Sequence, residues 1–421
     1  MLQNREMNRG NCWEVGDLDW EESKSMLALS MSRGIGPATF QKLMEAFGSA
    51  EGVFAASAAE ITGVCPQLKD DAINAILSGP NLRTVRHQEE SCQRLGVRIV
   101  SYRSSAYPGP LLTLPHPLPF IFMQGEWHDS DQKAVAIVGT RYPSGYGSRM
   151  ARDLTLGLIE SGFTIVSGLA RGIDTVSHEA ALSGDGRTLA VLGSGLDWIY
   201  PSENLELSRR IANKGCLISE FPMGMAPHAT HFPRRNRLIS ALSMGTVVVE
   251  AGNDSGALIT ADFALEQGRE VFAVPGSVDN PGARGPHKLI QQGAHLAERS
   301  EDIIRVLQGL SQAIPARRIS VESVSAKQKL KKFPIINDRE VGTEIPSEKF
   351  GFTLGLDLET REILSILGQR ALTLDDIAQM AVTKPVLKHA PPHRLLSGLL
   401  ELELKGVVRR LPGALFKRVE P

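Results

Sequence analysis

The chain has 421 residues, room for about two to four domains and at least one sizeable core. Its 46 Lys and Arg against 47 Asp and Glu leave a formal net charge of -1, which excludes a blanket polyanion binder but not a local anion site. Cys12, Cys65, Cys92 and Cys216 form no CxxC pair and have no histidine cluster beside them, so no metal centre or disulfide framework is expected. The N-terminus is polar and acidic, and no run is long enough to span a bilayer. A cytoplasmic protein with no membrane partner is expected.

Residues 1–86 read as short helices. In "MSRGIGPATFQKLMEAFGS" a Gly34-Ile35-Gly36 turn separates Leu27, Leu29 and Met31 from Phe40, Leu43, Met44 and Phe47, which recur at helical spacing. Such turns occur in helix-hairpin-helix modules, where backbone N–H groups meet DNA phosphates. A single copy serves more often as a plain helical turn using glycine for positive φ. Residues 87–308 begin with extended, Pro-rich structure. From 133 onward apolar strands ("AVAIVGT", "FTIVSG", "TLAVLGSG", "CLISEF", "TVVVEA", "EVFAVPG") alternate with amphipathic helices. That alternation predicts an α/β fold with a doubly wound, mostly parallel sheet. Residues 309–354 gather Ser, Pro and Lys, including Lys327, Lys329, Lys331 and Lys332, and read as a flexible linker. Residues 355–421 read as three helices and a hairpin turning at Pro412-Gly413, a winged helix. Its third helix offers His393 and Arg394, then mostly Leu and Glu, so protein contact and DNA contact both stand open.

Ligands of doubly wound sheets bind beyond the carboxyl ends of the strands. The loops there hold Gly139, Thr140 and Arg141; Ser167, Gly168 and Arg171; Gly193 and Gly195; Ser255 and Gly256; and Gly276. Glycines admit close backbone approach, and N–H groups at helix N-termini attract anions. A phosphate-binding rim is expected. Arg234, Arg235 and Arg237 crowd the start of a helix, where acidic residues belong. They need something negative nearby: an internal carboxylate such as Glu220 or Glu250, or a bound polyanion. Phe232 precedes them, as a stacking platform for a base or as a hydrophobic staple. There is no G-x-G-x-x-G, no P-loop and no G-x-S-x-G. Asp174, Ser177 and His178 share one helix and do not amount to a triad. No nucleophile with its base is visible, so a binder rather than an enzyme is expected, with no cofactor.

The motifs "AIVGTR", "SGLARGID", "VLGSGLDWIYPSEN", "SEFPMG", "FPRRNRLIS", "VVVEAGNDSGALITADFALEQGREVFAVPGS" and "LIQQGA" occur in that order. Together they closely resemble the DNA-processing protein A family, DprA, also called Smf, over roughly residues 100–300. The resemblance implies an extended Rossmann-like sheet, an N-terminal sterile-alpha-motif-like helical domain and a C-terminal winged helix. It implies a protein that binds single-stranded DNA, forms a homodimer and loads the RecA recombinase during natural transformation. Carried over by motif, Gly139, Thr140 and Arg141 would grip a phosphate, and Phe232, Arg235, Asn236 and Arg237 would form the second DNA element. Lys288 would lie beside it, and Leu289 and Ile290 would neighbour the dimer and RecA surface. Some members carry a lysine before the Phe where this chain reads "HATHF", with His228 and His231 as partial substitutes. The late motif has His287 in place of Asn.

Two other classes compete with the single-strand binder. A phosphoribohydrolase-like enzyme would need P-G-G-x-G-T-x-x-E near "EAGNDSGALITAD", where only Glu250 and Asp254 offer carboxylates. A duplex-binding regulator rests on the winged helix alone. For the single-strand binder, about five neutralised phosphates give a salt slope near -3.5.

Overall fold

The computed structural model describes residues 12–253, 255–313 and, with gaps, 358–418. Contacts divide the chain into two units, Met1–Ser320 and Val321–Pro421. The first unit opens with the short strand β1 (Trp13–Glu14) and six helices: α1 (Trp20–Met31), α2 (Pro37–Phe47), α3 (Ala50–Ala55), α4 (Ala58–Val64), α5 (Asp70–Leu77) and α6 (Leu82–Leu95). Their termini are written in the sequence. Asp19, Ser49, Ser57 and Asn81 cap α1, α3, α4 and α6 with side-chain oxygens on first-turn N–H groups. Gly48 and Gly96 close α2 and α6 in the left-handed region.

A ten-stranded sheet follows, in the order β1-β2-β3-β7-β6-β5-β4-β8-β9-β10. Its further strands are β2 (Arg98–Ser101), β3 (Phe120–Gly125), β4 (Ala134–Val138), β5 (Thr164–Ser167), β6 (Thr188–Leu192), β7 (Cys216–Ser219), β8 (Gly245–Val248), β9 (Glu270–Ala273) and β10 (His295–Leu296). Neighbours run parallel except at β2–β3 and β3–β7. Every residue of β4, β5, β6, β7 and β8 is buried, as a parallel sheet covered on both faces requires. The crossovers are α7 (Gly145–Glu160), α8 (Ile173–Ser183), α9 (Leu205–Lys214), α10 (His231–Ala241), α11 (Gly256–Glu266) and α12 (Arg284–Gln291).

The N-terminal helices share a core with the sheet. Met26, Leu29, Phe40 and Leu43 belong to one buried cluster with Ile99, Phe120, Phe122 and Leu217. The sequence reading gave no helix after the "LIQQGA" motif and began a linker at 309. The structure instead has α13 (Ser300–Ala313), with Ile303 and Leu307 buried against the Leu154 and Leu158 side of α7. From 314 the expected linker lies outside the described residues.

The second unit contains α14 (Leu358–Ile366), α15 (Leu374–Ala381) and a small sheet of β11 (Leu372–Thr373), β12 (Val408–Leu411) and β13 (Leu415–Arg418), ordered β11-β13-β12 and antiparallel throughout. Ile363, Leu367, Ile377, Leu399 and Phe416 are in its core. These are the helices and wing of a winged helix. Most of the expected third helix, and the turn at Pro412-Gly413, lie outside the described residues. Among the described residues no helix is long and apolar enough to cross a membrane.

Leu29 is fully buried in the cluster shared by helices and sheet. Leu29→Ala should lower the stability of the first unit by about 2–5 kcal/mol. Tryptophans lie in both parts of that unit, at 13 and 20 and at 127 and 198. Urea unfolding followed by fluorescence should therefore show one shifted transition; an N-terminal transition separating from the rest would contradict the shared core.

Candidate functional site

From β4 the chain moves through β5 and β6 to β7 on one side, then returns to lay β8 on the other. Adjacent strands whose connections leave in opposite directions open a crevice at their carboxyl ends. That crevice is present as a cleft of about 510 Å³. The loop after β4 contributes Gly139, Thr140, Arg141 and Tyr142, and the loop after β8 contributes Gly252, Asn253, Ser255 and Gly256. Helix α10 adds Phe232, Arg235 and Asn236. The two loops are tied together by Glu250, whose side chain accepts from the Ser144 N–H (2.8 Å), the Ser144 hydroxyl (2.6 Å) and Asn280 Nδ2 (3.0 Å). The Glu250 carbonyl takes the Thr140 N–H at 2.7 Å. Ser255 caps α11, accepting from the Ala257 N–H, so the positive end of that helix faces the cleft.

The arginine crowd separates by position on the helix. Arg234 and Arg237, three residues apart, share a face, and both donate to Glu220 Oε2, at 3.2 and 2.7 Å. Arg235 points inward and is buried. Its Nη1 donates to the carbonyls of Gly168, after β5, and Val191, in β6. Burial pulls its guanidinium down to about 10, against the opposing pull of the Asp174 charge. Asp174 is itself pushed up by burial and held down by Arg235 and by the N–H groups of Gly168 and Ala170, at 3.0 and 3.3 Å. Arg235, expected among the DNA-contacting residues, is therefore held as a brace in the cleft wall rather than as a free cation. Asn236 is also buried and donates to the Gly256 carbonyl at 3.1 Å. Arg171 is held by Glu203 through two nitrogens. Arg141 is different: it is exposed, and its guanidinium lies 5.6 Å from the centre of the Phe232 ring. Phe232 in turn lies 5.9 Å from Tyr200.

The remaining predicted residues divide between the wall and elsewhere. Ser167 is fully buried and donates to the Ile137 carbonyl, so its hydroxyl is committed inside the sheet. Gly168 is glycine because a Cβ there would collide with the Arg235 guanidinium; at Gly193 it would meet the Phe232 ring at 3.0 Å. These two glycines admit the protein's own side chains, whereas Gly256 faces open space. Gly195 is buried, and neither it nor Gly276 lines the cleft. Arg237 lines a groove on the other side of α10, with Phe263 and Gln267. Lys288 is exposed on α12, away from the cleft lining. Leu289 is 4 % exposed and part of the core, so it has no surface to offer a partner, while Ile290 is only partly buried. His231 stacks on Phe221 at 4.3 Å and burial lowers its pKa, so it does not stand in for a lysine. In "DTVSHEA", His178 is a core residue: its Nδ1 meets Thr188 Oγ1 at 2.7 Å and burial pulls its pKa down to about 3. The sequence reading missed Tyr142, 83 % exposed at the rim, and Thr260 in the wall. Tyr142 directly follows "GTR", the signal that would have found it.

The family model for DNA recombination-mediator protein A matches residues 98–308. Those for the DprA winged helix domain and the DprA-like N-terminal HHH domain match 353–414 and 21–57. Protein Smf of Escherichia coli is 40% identical over 312 residues, 74% of this chain and 74% of that protein. Protein Smf of Synechocystis sp. is 34% identical over 417 residues, 94% of this chain and 99% of its own length. The X-ray structure of DNA processing protein A from Streptococcus pneumoniae superposes with a TM-score of 0.58 at 32% identity, over 67% of this chain and 97% of that one.

Arg235→Met leaves Asp174 buried beside no countercharge and should cost about 3–5 kcal/mol. Arg141→Ala, at the surface, should change stability by no more than about 0.5 kcal/mol. Urea titration of both variants checks the division between brace and free cation. The neutral His178 also makes stability pH-dependent. The unfolded histidine takes a proton near pH 6.5, which the folded one refuses until about 3. Stability is therefore full above 6.5 and falls as pH drops, by up to about 1.4 kcal/mol per unit from this group. His178→Gln should flatten that part of the curve; parallel curves for variant and wild type would show that His178 is not held neutral.

Proposed function

Because the chain belongs to the DNA recombination-mediator protein A family, we propose that it binds single-stranded DNA along the switch-point cleft and hands that strand to the RecA recombinase during natural transformation, acting as a binder rather than an enzyme. The observation that carries this reading is the Arg141–Phe232 pair. It sets an exposed guanidinium over an aromatic ring, at the mouth of a cleft that also receives the N-terminus of α11. A guanidinium takes a phosphate, and an aromatic face takes a base with little regard to its identity, at about 1–3 kcal/mol per base. Tyr200 and the exposed Tyr142 extend the aromatic surface.

In this reading Gly139, Thr140, Arg141, Phe232, Ser255 and Gly256 touch the strand. Ser167, Gly168, Gly193, Arg235 and Asn236 support them from behind. Arg171 joins only by exchanging Glu203 for a phosphate. Gly195, Gly276, Arg237 and Lys288 act, if on DNA at all, outside the cleft lining. The homodimer and RecA contact expected near the end of the sheet domain would use the exposed side of α12, Lys288 and Ile290, rather than Leu289. The phosphoribohydrolase alternative loses support from Glu250, whose carboxylate already accepts three hydrogen bonds that fix the cleft loops.

With two arginines sharing Glu220 and a third buried, fewer charges are free than the sequence alone suggests. About three neutralised phosphates give a single-strand salt slope near -2, a roughly twentyfold loss of affinity between 50 and 200 mM salt. Fluorescence anisotropy with labelled oligo-dT and its duplex should show preference for the single strand. Arg141→Ala should weaken binding at least tenfold and make the slope shallower by about 0.7. Duplex preference, or equal binding by the variant, would move the DNA site away from the cleft.

A further inference from the structure

Beyond the cleft, on the other side of α10, lies a second cavity with a different chemical character. It has a volume of about 290 Å³ and is walled by Met31, Ile35, Phe40, Phe122, Phe221 and Met225, together with Glu220 and Arg234. Gly34, Ile35, Gly36, Pro37 and Arg234 are shared with a wider groove of about 790 Å³ that runs on past Arg237 to Phe263 and Gln267. The cavity thus sits where the turn between α1 and α2 meets the sheet, within one compact unit.

Its polar groups are unbalanced. The Glu220 side chain is 2% exposed; Oε2 serves both Arg234 and Arg237, but Oε1 is buried without a hydrogen-bond partner. In the adjoining groove, Gln267 Nε2 donates to the Arg237 carbonyl at 2.9 Å, and Gln267 Oε1 is likewise buried and unpaired. Buried acceptors left unpaired are costly, so both call for a donor. Arg234, about half exposed, stands at the shared wall and calls for an anion. A flat apolar body with an amino edge and an attached phosphate meets the demands of Glu220 and Arg234. A basic peptide would supply the donor but bring its charge against Arg234 and Arg237.

We propose that this cavity is a nucleotide subsite for an amino-bearing base, whose exocyclic amine donates to Glu220 Oε1 while Arg234 holds the adjoining phosphate. The proposal rests on the single-strand reading of the cleft. Phe232 lines the cleft and Arg234 lines the cavity from opposite faces of the first turn of α10, so a strand in the cleft reaches the cavity by crossing the N-terminal end of that helix. Among pyrimidines the subsite discriminates by one group. Cytosine offers an N4 amine to the carboxylate, whereas thymine presents the O4 carbonyl, an acceptor facing an acceptor.

The test compares labelled oligo-dC and oligo-dT of equal length on the full chain, by anisotropy at one salt concentration. Wild type should bind oligo-dC about fivefold to tenfold more tightly. Gly36 has φ -95° and no atom within 4 Å of its Cβ position, so Gly36→Leu enters the cavity mouth without strain. It should bring oligo-dC down to the oligo-dT value and leave oligo-dT unchanged. Glu220→Gln, whose amide can turn an N–H towards O4, should shrink the preference by a second route. Equal binding of the two oligonucleotides by wild type, or a preference undiminished in both variants, overturns the subsite and leaves the cleft standing. Failure of wild type to bind either strand overturns the cleft reading and the subsite with it.

Discussion

A guanidinium buried behind the cleft holds the site together. Arg235 reaches from the second turn of α10 to the carbonyls of Gly168 and Val191, beside Asp174 at the start of α8. One side chain thus joins α10 to β6 and to the loop after β5. The glycine at 168 exists to let it through. A charge in that place is stable only because carbonyl dipoles and a carboxylate replace its water. Removing either partner leaves the other buried alone, so the group acts as a register pin: α10 has one depth against the sheet. That depth puts Phe232 against Gly193 and under Arg141.

The same helix resolves the crowding of its own arginines. It begins at His231, three residues before Arg234, so Arg234, Arg235 and Arg237 stand at or beyond the end of its first turn rather than at the helix start the sequence suggests, and the dipole there is weak. One is drawn into the interior by carbonyl oxygens, and two are neutralised in part by the single carboxylate of Glu220. Glu250, another buried carboxylate, carries no arginine and instead ties the loop of Ser144 to the loop of Asn280. The carboxylates and arginines mainly set loop positions, and Arg141 is left exposed over an aromatic ring.

The sheet was legible because its chemistry is redundant: "AVAIVG" and "TVVVEA" are continuous apolar runs that a twice-covered parallel strand demands, and the glycines after them mark the strand ends. The cleft loops were therefore found by position. The roles within the cluster were less accessible, since adjacent letters in "PRRNR" face different ways. Helical spacing does place 234 and 237 together and turns 235 away, but not which direction is inward. Helix α13 was hidden because Glu301 and Asp302 precede only a short stripe, Ile303 and Leu307, whose partners on α7 lie some 150 residues earlier. The shared core of Leu29 and Phe122 was invisible for the same reason: burial across distant segments leaves no local pattern.

The distribution of charge also bears on how such a site would work. A groove lined by five free arginines would hold any polyanion strongly and release it slowly, with a steep dependence on salt. Here much of the proposed grip comes from neutral groups, the N–H donors at the start of α11 and the aromatic faces of Phe232 and Tyr200, beside the exposed guanidinium of Arg141. Stacking and neutral hydrogen bonds respond little to counterions and let the strand be exchanged without separating many ion pairs. The proposed hand-off of the strand would need that combination. Burying Arg235 contributes to it twice, by fixing the geometry of the aromatic platform and by keeping one more positive charge out of the strand's path.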